Sequence, residues 1–182
     1  MEMNRKRFDQ VTSTVGLLLA AVLLIAGILT QWGGHFALNQ VKSQLVEEQI
    51  FFPPAGNAAY KALPTADAAA MEKYAGEQLL TGAQAETYAD HFIRIHLKGI
   101  GQGKTYSQVS TLSIADPKNT ALPDEVQTLF RGETLRGLLL NAYAFGFLGN
   151  IALIAGWVCF VGALLFLLLA LLGFAHAKKS DE

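Results

Sequence analysis

Apolar positions crowd both ends of this chain and thin out between them. The first apolar run, Val11 to Thr30, follows Arg5-Lys6-Arg7; the second, Leu138 to Ala175, precedes Lys178-Lys179. A bilayer core of ~30 Å takes about 20 apolar helical residues, so each run is long enough to cross once. The first run outlasts the 7 to 15 apolar residues of a cleaved signal peptide. It ends in Gln31-Trp32-Gly33-Gly34-His35-Phe36 with no A-x-A-like site, and Trp32 suits the outer interface of an uncleaved span.

The second run is longer than one crossing needs. As a helix it extends about 57 Å at 1.5 Å per residue. A hairpin turning at Gly146-Phe147-Leu148-Gly149-Asn150 would leave a first arm of only about 11 residues, too few to cross. One continuous helix is therefore expected, spanning near Ile154 to Phe174. Trp157 would anchor its outer end and His176 to Lys179 its inner end. Leu138 to Leu153 would then stand above the bilayer and bury their apolar surface against protein.

Between the runs the periodicity changes to that of amphipathic helices. Leu38, Val41 and Leu45 recur at spacings of three and four and extend the first helix outward, until Ile50-Phe51-Phe52 meets Pro53-Pro54. The following segment, as far as Thr65, reads as loop. An alanine-rich helix is expected over Asp67–Leu80, capped by Thr65 or Asp67. Another is expected from about Gly82 to Leu97, with Tyr88, Phe92 and Ile95 on one face and Glu86, Asp90 and Arg94 on another. Gly99 to Gly103 stops it. Residues 105–119 fit a short helix or an extended piece, and Pro123-Asp124-Glu125 starts the last helix.

The fold class predicted is all-α: two transmembrane helices extending into a small extracytoplasmic helical bundle. The divisions are a cytoplasmic N-terminus (1–10), a first span (11–31), an extracytoplasmic domain (32–153), a second span (154–175) and a cytoplasmic C-terminus (176–182). Orientation follows from the basic flanks, which favour the cytoplasmic side of a plasma membrane at both ends.

Charge and cysteine content narrow the chemistry. The formal net charge is −1, and the middle region has a slight acidic excess, which gives no footprint for nucleic acid. The single cysteine, Cys159, lies inside the second apolar run, so no disulfide framework or CxxC site can form within one chain.

Gly99-Ile100-Gly101-Gln102-Gly103-Lys104-Thr105 approaches a phosphate-binding loop, but the required first glycine falls on Lys98 and the string follows a helix rather than a strand. His91 and His96 would lie about 140° apart on an α-helix, unsuited to one shared ion. Asp90 and Arg94 read as a surface i, i+4 pair. No metal, cofactor or catalytic residue is assigned on these grounds.

The most distinctive stretch is Thr128 to Tyr143. Gly132 and Gly137 weaken a helix by ~1 kcal/mol each relative to alanine, which points to close packing of another backbone. Glu133, Arg136 and Asn141 are candidates for assembly, with Glu133–Arg136 an i, i+3 pair. Small residues offer packing strips in the spans: Gly16, Ala20 and Gly27 in the first, and Ala152, Gly156 and Ala163 in the second. Packing of the chain's own spans is preferred there to homodimerisation.

The residues Tyr88, Phe92-Ile93, His96-Leu97, Gly103-Lys104-Thr105-Tyr106 and Ser110, followed by Thr128 to Tyr143, resemble a family of actinobacterial two-pass membrane proteins of unknown function. The string T-L-F-x-G-E-T-L-R-G is the most specific part. Some members of that family carry the label aromatic ring-opening dioxygenase. Such chemistry needs iron held by a set such as two histidines and a carboxylate. Here His35 and His176 fall at opposite membrane faces while His91 and His96 diverge, so the label is not carried over.

The function expected is that of a non-enzymatic accessory or scaffolding component of a cell-envelope complex. Its partners would be the lipid bilayer and another envelope membrane protein or a second copy. The alternative is an extracytoplasmic binding module or sensor for an apolar or lipid-like ligand.

Overall fold

The computed structural model describes residues 5–179 and is predominantly helical, with no strand among the described residues. Helix α1 (Arg5–Glu48) and helix α7 (Leu122–Lys179) frame the chain. Between them lie α2 (Ala58–Lys61), α3 (Thr65–Glu72), α4 (Gly82–Tyr88), a π-helical turn (Ala89–Ile93), α5 (Arg94–Ile100) and α6 (Tyr106–Ala115). Two compact units result, one formed by residues 1–36 with 148–182 and the other by residues 37–147.

The first unit is an antiparallel pair of helix segments with a seam of small residues. Ser13, Ala20, Gly27 and Gly34 on α1 are buried, as are Gly149, Gly156, Ala163, Ala170 and Ala177 on α7. Both series repeat every seventh residue, the spacing that keeps one seam facing its partner in a left-handed coiled pair. The approach is close. A Cβ on Gly34 would come within 2.8 Å of the Gly149 carbonyl oxygen, and one on Gly27 within 3.2 Å of the Gly156 carbonyl oxygen. Near the end of the seam the Gln31 side-chain amide donates to the Leu153 carbonyl at 2.7 Å.

The pairing sets Gly16 against Ala170 and Gly34 against Gly149, so the start of α1 lies beside the end of α7. Asp9 Oδ2 stands 3.9 Å from His176 Nε2, and Arg5, Arg7 and Lys178 cluster at that same end. Facing away from the seam, Leu18, Val22, Ile25 and Leu29 on α1 and Trp157, Val158, Val161 and Leu172 on α7 are exposed. Only 17% of the most apolar α1 window and 11% of that in α7 is covered by protein. Both helices are long and apolar enough to cross a membrane.

The second unit has its own core. Val41 and Leu45 of α1, Leu129 and Leu139 of α7, Phe52, Met71, Leu79, Ala85, Ala89, Ile93, Leu97 and Val109 form one buried cluster. Rings extend it: Phe52 contacts Tyr74 and Tyr88, Tyr88 contacts Phe92, and Phe92 contacts His96.

Several local expectations are corrected here. The alanine-rich helix starts at Thr65, with Pro64 at its N-cap and no side-chain cap, and stops at Glu72, because the chain turns at Gly76 (φ +76°). It then runs extended, with Gln78 bridging to Phe51 and the Leu79 N–H donating to the Ile50 carbonyl. The segment read as loop holds α2, whose N-terminus is capped by Asn57. Within residues 105–119, Tyr106–Ala115 forms α6, with Thr105 and Gln108 in a reciprocal capping box.

The helix after Gly82 carries its buried face on Ala85, Ala89, Ile93 and Leu97 rather than on Tyr88, Phe92 and Ile95, which are half-buried. Residues four apart drift by about 40° per step on an α-helix. The π turn, in which the Arg94 N–H reaches back to the Ala89 carbonyl, takes up that drift and keeps the four on one face.

Helix α7 is continuous, and the glycines of the rejected hairpin turn serve as points of close approach. Gly146 packs against Gly82, and Gly149 against Gly34. Burial of the apolar stretch before residue 153 is partial. Leu139 is inside, while Leu138, Phe145, Phe147, Leu148 and Ile151 are exposed. The apolar residues there encircle the helix, and packed neighbours cover only one side of it.

Candidate functional site

The long-range ion pairs of the second unit, Asp90–Arg136 and His91–Asp67, converge on the π turn. This turn places Asp90 and His91 on successive positions, and each reaches a different helix. Arg136 of α7 donates through Nη2 to Asp90 Oδ1 at 2.8 Å. Its Nη1 lies 3.5 Å from Glu133 Oε2, a contact at the limit of hydrogen bonding. The side chains of Arg136 and Asp90 retain 26% and 30% of their exposure, against 45% for Glu133. The Asp90–Arg136 bond is thus the shorter and better shielded of the two. Hydrogen bonding to Asp90 raises the Arg136 pKa above its ordinary value, opposed by partial burial and reinforced by the charges of Asp90 and Glu133.

Asp90 also forms the i, i+4 surface pair with Arg94 that their spacing suggests, supplemented by a backbone contact. Arg94 Nε donates to the Asp90 backbone carbonyl at 2.9 Å, while the carboxylate stands 3.8 Å away. His91 Nδ1 lies 2.7 Å from Asp67 Oδ1, tying the π turn to α3. A carboxylate only accepts when ionised, so this contact calls for a proton on Nδ1. His96 Nδ1 donates to the Phe92 carbonyl at 2.7 Å. The two histidines are therefore held by different partners. Among the described residues no group of three or more histidines, cysteines or carboxylates is arranged to hold a metal ion.

The glycine string after α5 forms a chain reversal. The Gly103 N–H donates to the Lys98 carbonyl and the Gly101 N–H to the Leu97 carbonyl, with Gln102 and Gly103 at positive φ. These bonds satisfy carbonyls left open at the end of α5. Thr105 caps α6 immediately afterwards.

The remaining sequence candidates separate by location. The expected close approach of another backbone is not found at either glycine: a Cβ on Gly132 would meet the Leu97 side chain instead. Gly137 has nothing within 4 Å of its would-be Cβ, and Asn141 is exposed. Gly16, Ala20, Gly27, Gly156 and Ala163 lie in the seam of the first unit, and Ala152 is half-buried beside it. Sequence reasoning missed Asp90 as the principal partner of Arg136, because the two are 46 residues apart. It also missed Ser13, Gly34, Gly149, Ala170 and Ala177, although a count of small residues at every seventh position finds them.

Two of these contacts, Asp90–Arg136 and His91–Asp67, each tie the π turn to another helix, and the others are local. The chain matches no protein-family model, no curated protein and no solved structure.

Proposed function

We propose that the protein is a two-pass plasma-membrane protein whose termini are cytoplasmic and whose second unit is an extracytoplasmic helical domain. Its role in this reading is that of a non-enzymatic accessory or scaffolding component of a cell-envelope complex. The observation that carries it is the pairing of two helices whose outward faces are almost wholly apolar and uncovered. In water such a pair would expose far more contiguous apolar surface than a soluble monomer carries. Lipid is the environment that suits it, because its backbone polar groups are satisfied within the helices. The basic residues gathered at one end support the orientation through the positive-inside rule. The resemblance to a two-pass membrane family belongs to the same proposal.

The accessory role is supported by how the polar residues are used. Asp90, Arg136, Asp67, His91 and His96 are engaged in holding helices and turns. The test is purification of the tagged full-length chain in mild detergent, followed by mass measurement of the intact particle. A particle containing additional copies or another envelope protein at fixed stoichiometry is expected. A monomer carrying one stoichiometric lipid would overturn this role in favour of a lipid-binding module.

A further inference from the structure

Along α7, above the proposed span, one exposed face has an unusual composition. Gly137 sits in the helix interior with open space around it, although glycine there weakens the helix by ~1 kcal/mol relative to alanine. Gly132 and Gly146 on the same helix are explained by Leu97 and Gly82 pressed against them; Gly137 has no such neighbour among the described residues. Beside it, Leu138 and Phe145 are 62% and 61% exposed, and Asn141 lies between them, also exposed. At 100° per residue, Thr134, Gly137, Leu138, Asn141 and Phe145 fall within about 60° of Asn141. Thr134, Leu138, Asn141 and Phe145 follow the alternating four- and three-residue spacing of a coiled-coil seam.

We infer that this face of α7 is a homodimer interface, in which Asn141 meets Asn141 of a second copy across a two-fold axis. Three features select a second copy. An asparagine amide both donates and accepts, so it is complementary to itself, and a lone asparagine in an apolar seam favours paired parallel helices in register. Copies inserted in one membrane share an orientation, so identical residues of α7 meet at the same height, as a closed two-fold interface requires. No Asp, Glu, Lys, Arg or His occurs from Gly137 to Ala175, so no charge on this stretch repels an identical helix. Gly137 then supplies the close backbone approach that its surroundings within the chain do not explain.

The inference rests on the membrane-inserted reading, so the test reports the two separately. Single cysteines replace Leu138, Phe145 or Phe147 in full-length Cys159→Ser protein in native membranes. Phe147 is exposed but points about 120° away from Asn141. Mild oxidation should give a dimer-sized product with Leu138→Cys and Phe145→Cys and far less with Phe147→Cys.

Adding Gly137→Leu to the Phe145→Cys protein should reduce the product about tenfold, equivalent to about 1.4 kcal/mol, since a bulky side chain overpacks a tight seam. Because the site is open within one chain, membrane abundance should not fall. No dimer at either seam position, equal product at Phe147, cross-linking to a different protein instead, or a full yield with Gly137→Leu would each overturn the interface. Carbonate extraction of the same membranes reports insertion independently.

Discussion

At the scale of single residues, the molecule turns on which partner Arg136 holds. The spacing of Glu133 and Arg136 suggests a local pair, since neighbours on one helix are visible in a sequence. The shorter bond goes to Asp90, a residue that reads locally as the partner of Arg94. Folding brings Asp90 to α7, and no local spacing reveals that. The consequence is measurable by thermal or denaturant unfolding in detergent. Arg136→Ala and Asp90→Ala should each destabilise the second unit by about 1–3 kcal/mol, the range of a charge-assisted bond in a partly shielded site. Glu133→Ala should cost less than about 1 kcal/mol, as exposed pairs do. The double variant lacking both Asp90 and Arg136 should lose less than the sum of the singles, since the two share one interaction. Additive losses would show that the two side chains act independently.

Adjacent glycines provide a second residue-scale contrast. Gly33 has nothing within 4 Å, whereas Gly34 would press a Cβ on the Gly149 backbone oxygen at 2.8 Å. Gly33→Ala should therefore be neutral or stabilise by up to ~1 kcal/mol through helix propensity. Gly34→Ala should destabilise the helix pair by about 1–3 kcal/mol, because backbone cannot move aside as a side chain can. Melting temperatures of the two variants decide it, and equal values would contradict the close seam.

At the scale of elements, what was legible followed from periodicity and length. Both long helices and their continuity past the expected membrane boundary could be read from the apolar runs, and Pro123-Asp124-Glu125 marked the start of α7 to within one residue. The π turn could not, because a stripe of Ala85, Ala89, Ile93 and Leu97 looks like an off-register α-helix until a wider turn realigns it. The early end of α3 depends on Gly76 adopting positive φ, which alanine-rich sequence before it conceals. Caps were readable but easily passed over. Thr81 with Gln84 and Thr105 with Gln108 are both T-x-x-Q boxes. Replacing Thr81 with alanine should cost about 1 kcal/mol in unfolding free energy, and a loss near zero would remove the cap from the account.

For the whole molecule, the two units divide the work of the sequence. The seven-residue repeat of small side chains packs two apolar helices tightly, and the short helices between them build a separate core with Val41, Leu45, Leu129 and Leu139. The candidate site was only partly legible for the same reason: seam glycines are visible as strips, while the Asp90–Arg136 and Asp67–His91 ties join distant segments. The central claim is that the chain crosses a membrane twice with its second unit outside. Single cysteines at Ser107 and Ser180 in the Cys159→Ser background, probed on intact cells with a membrane-impermeant thiol reagent, test it most directly. Labelling of Ser107→Cys without Ser180→Cys is the predicted result; labelling of Ser180→Cys without Ser107→Cys would contradict it.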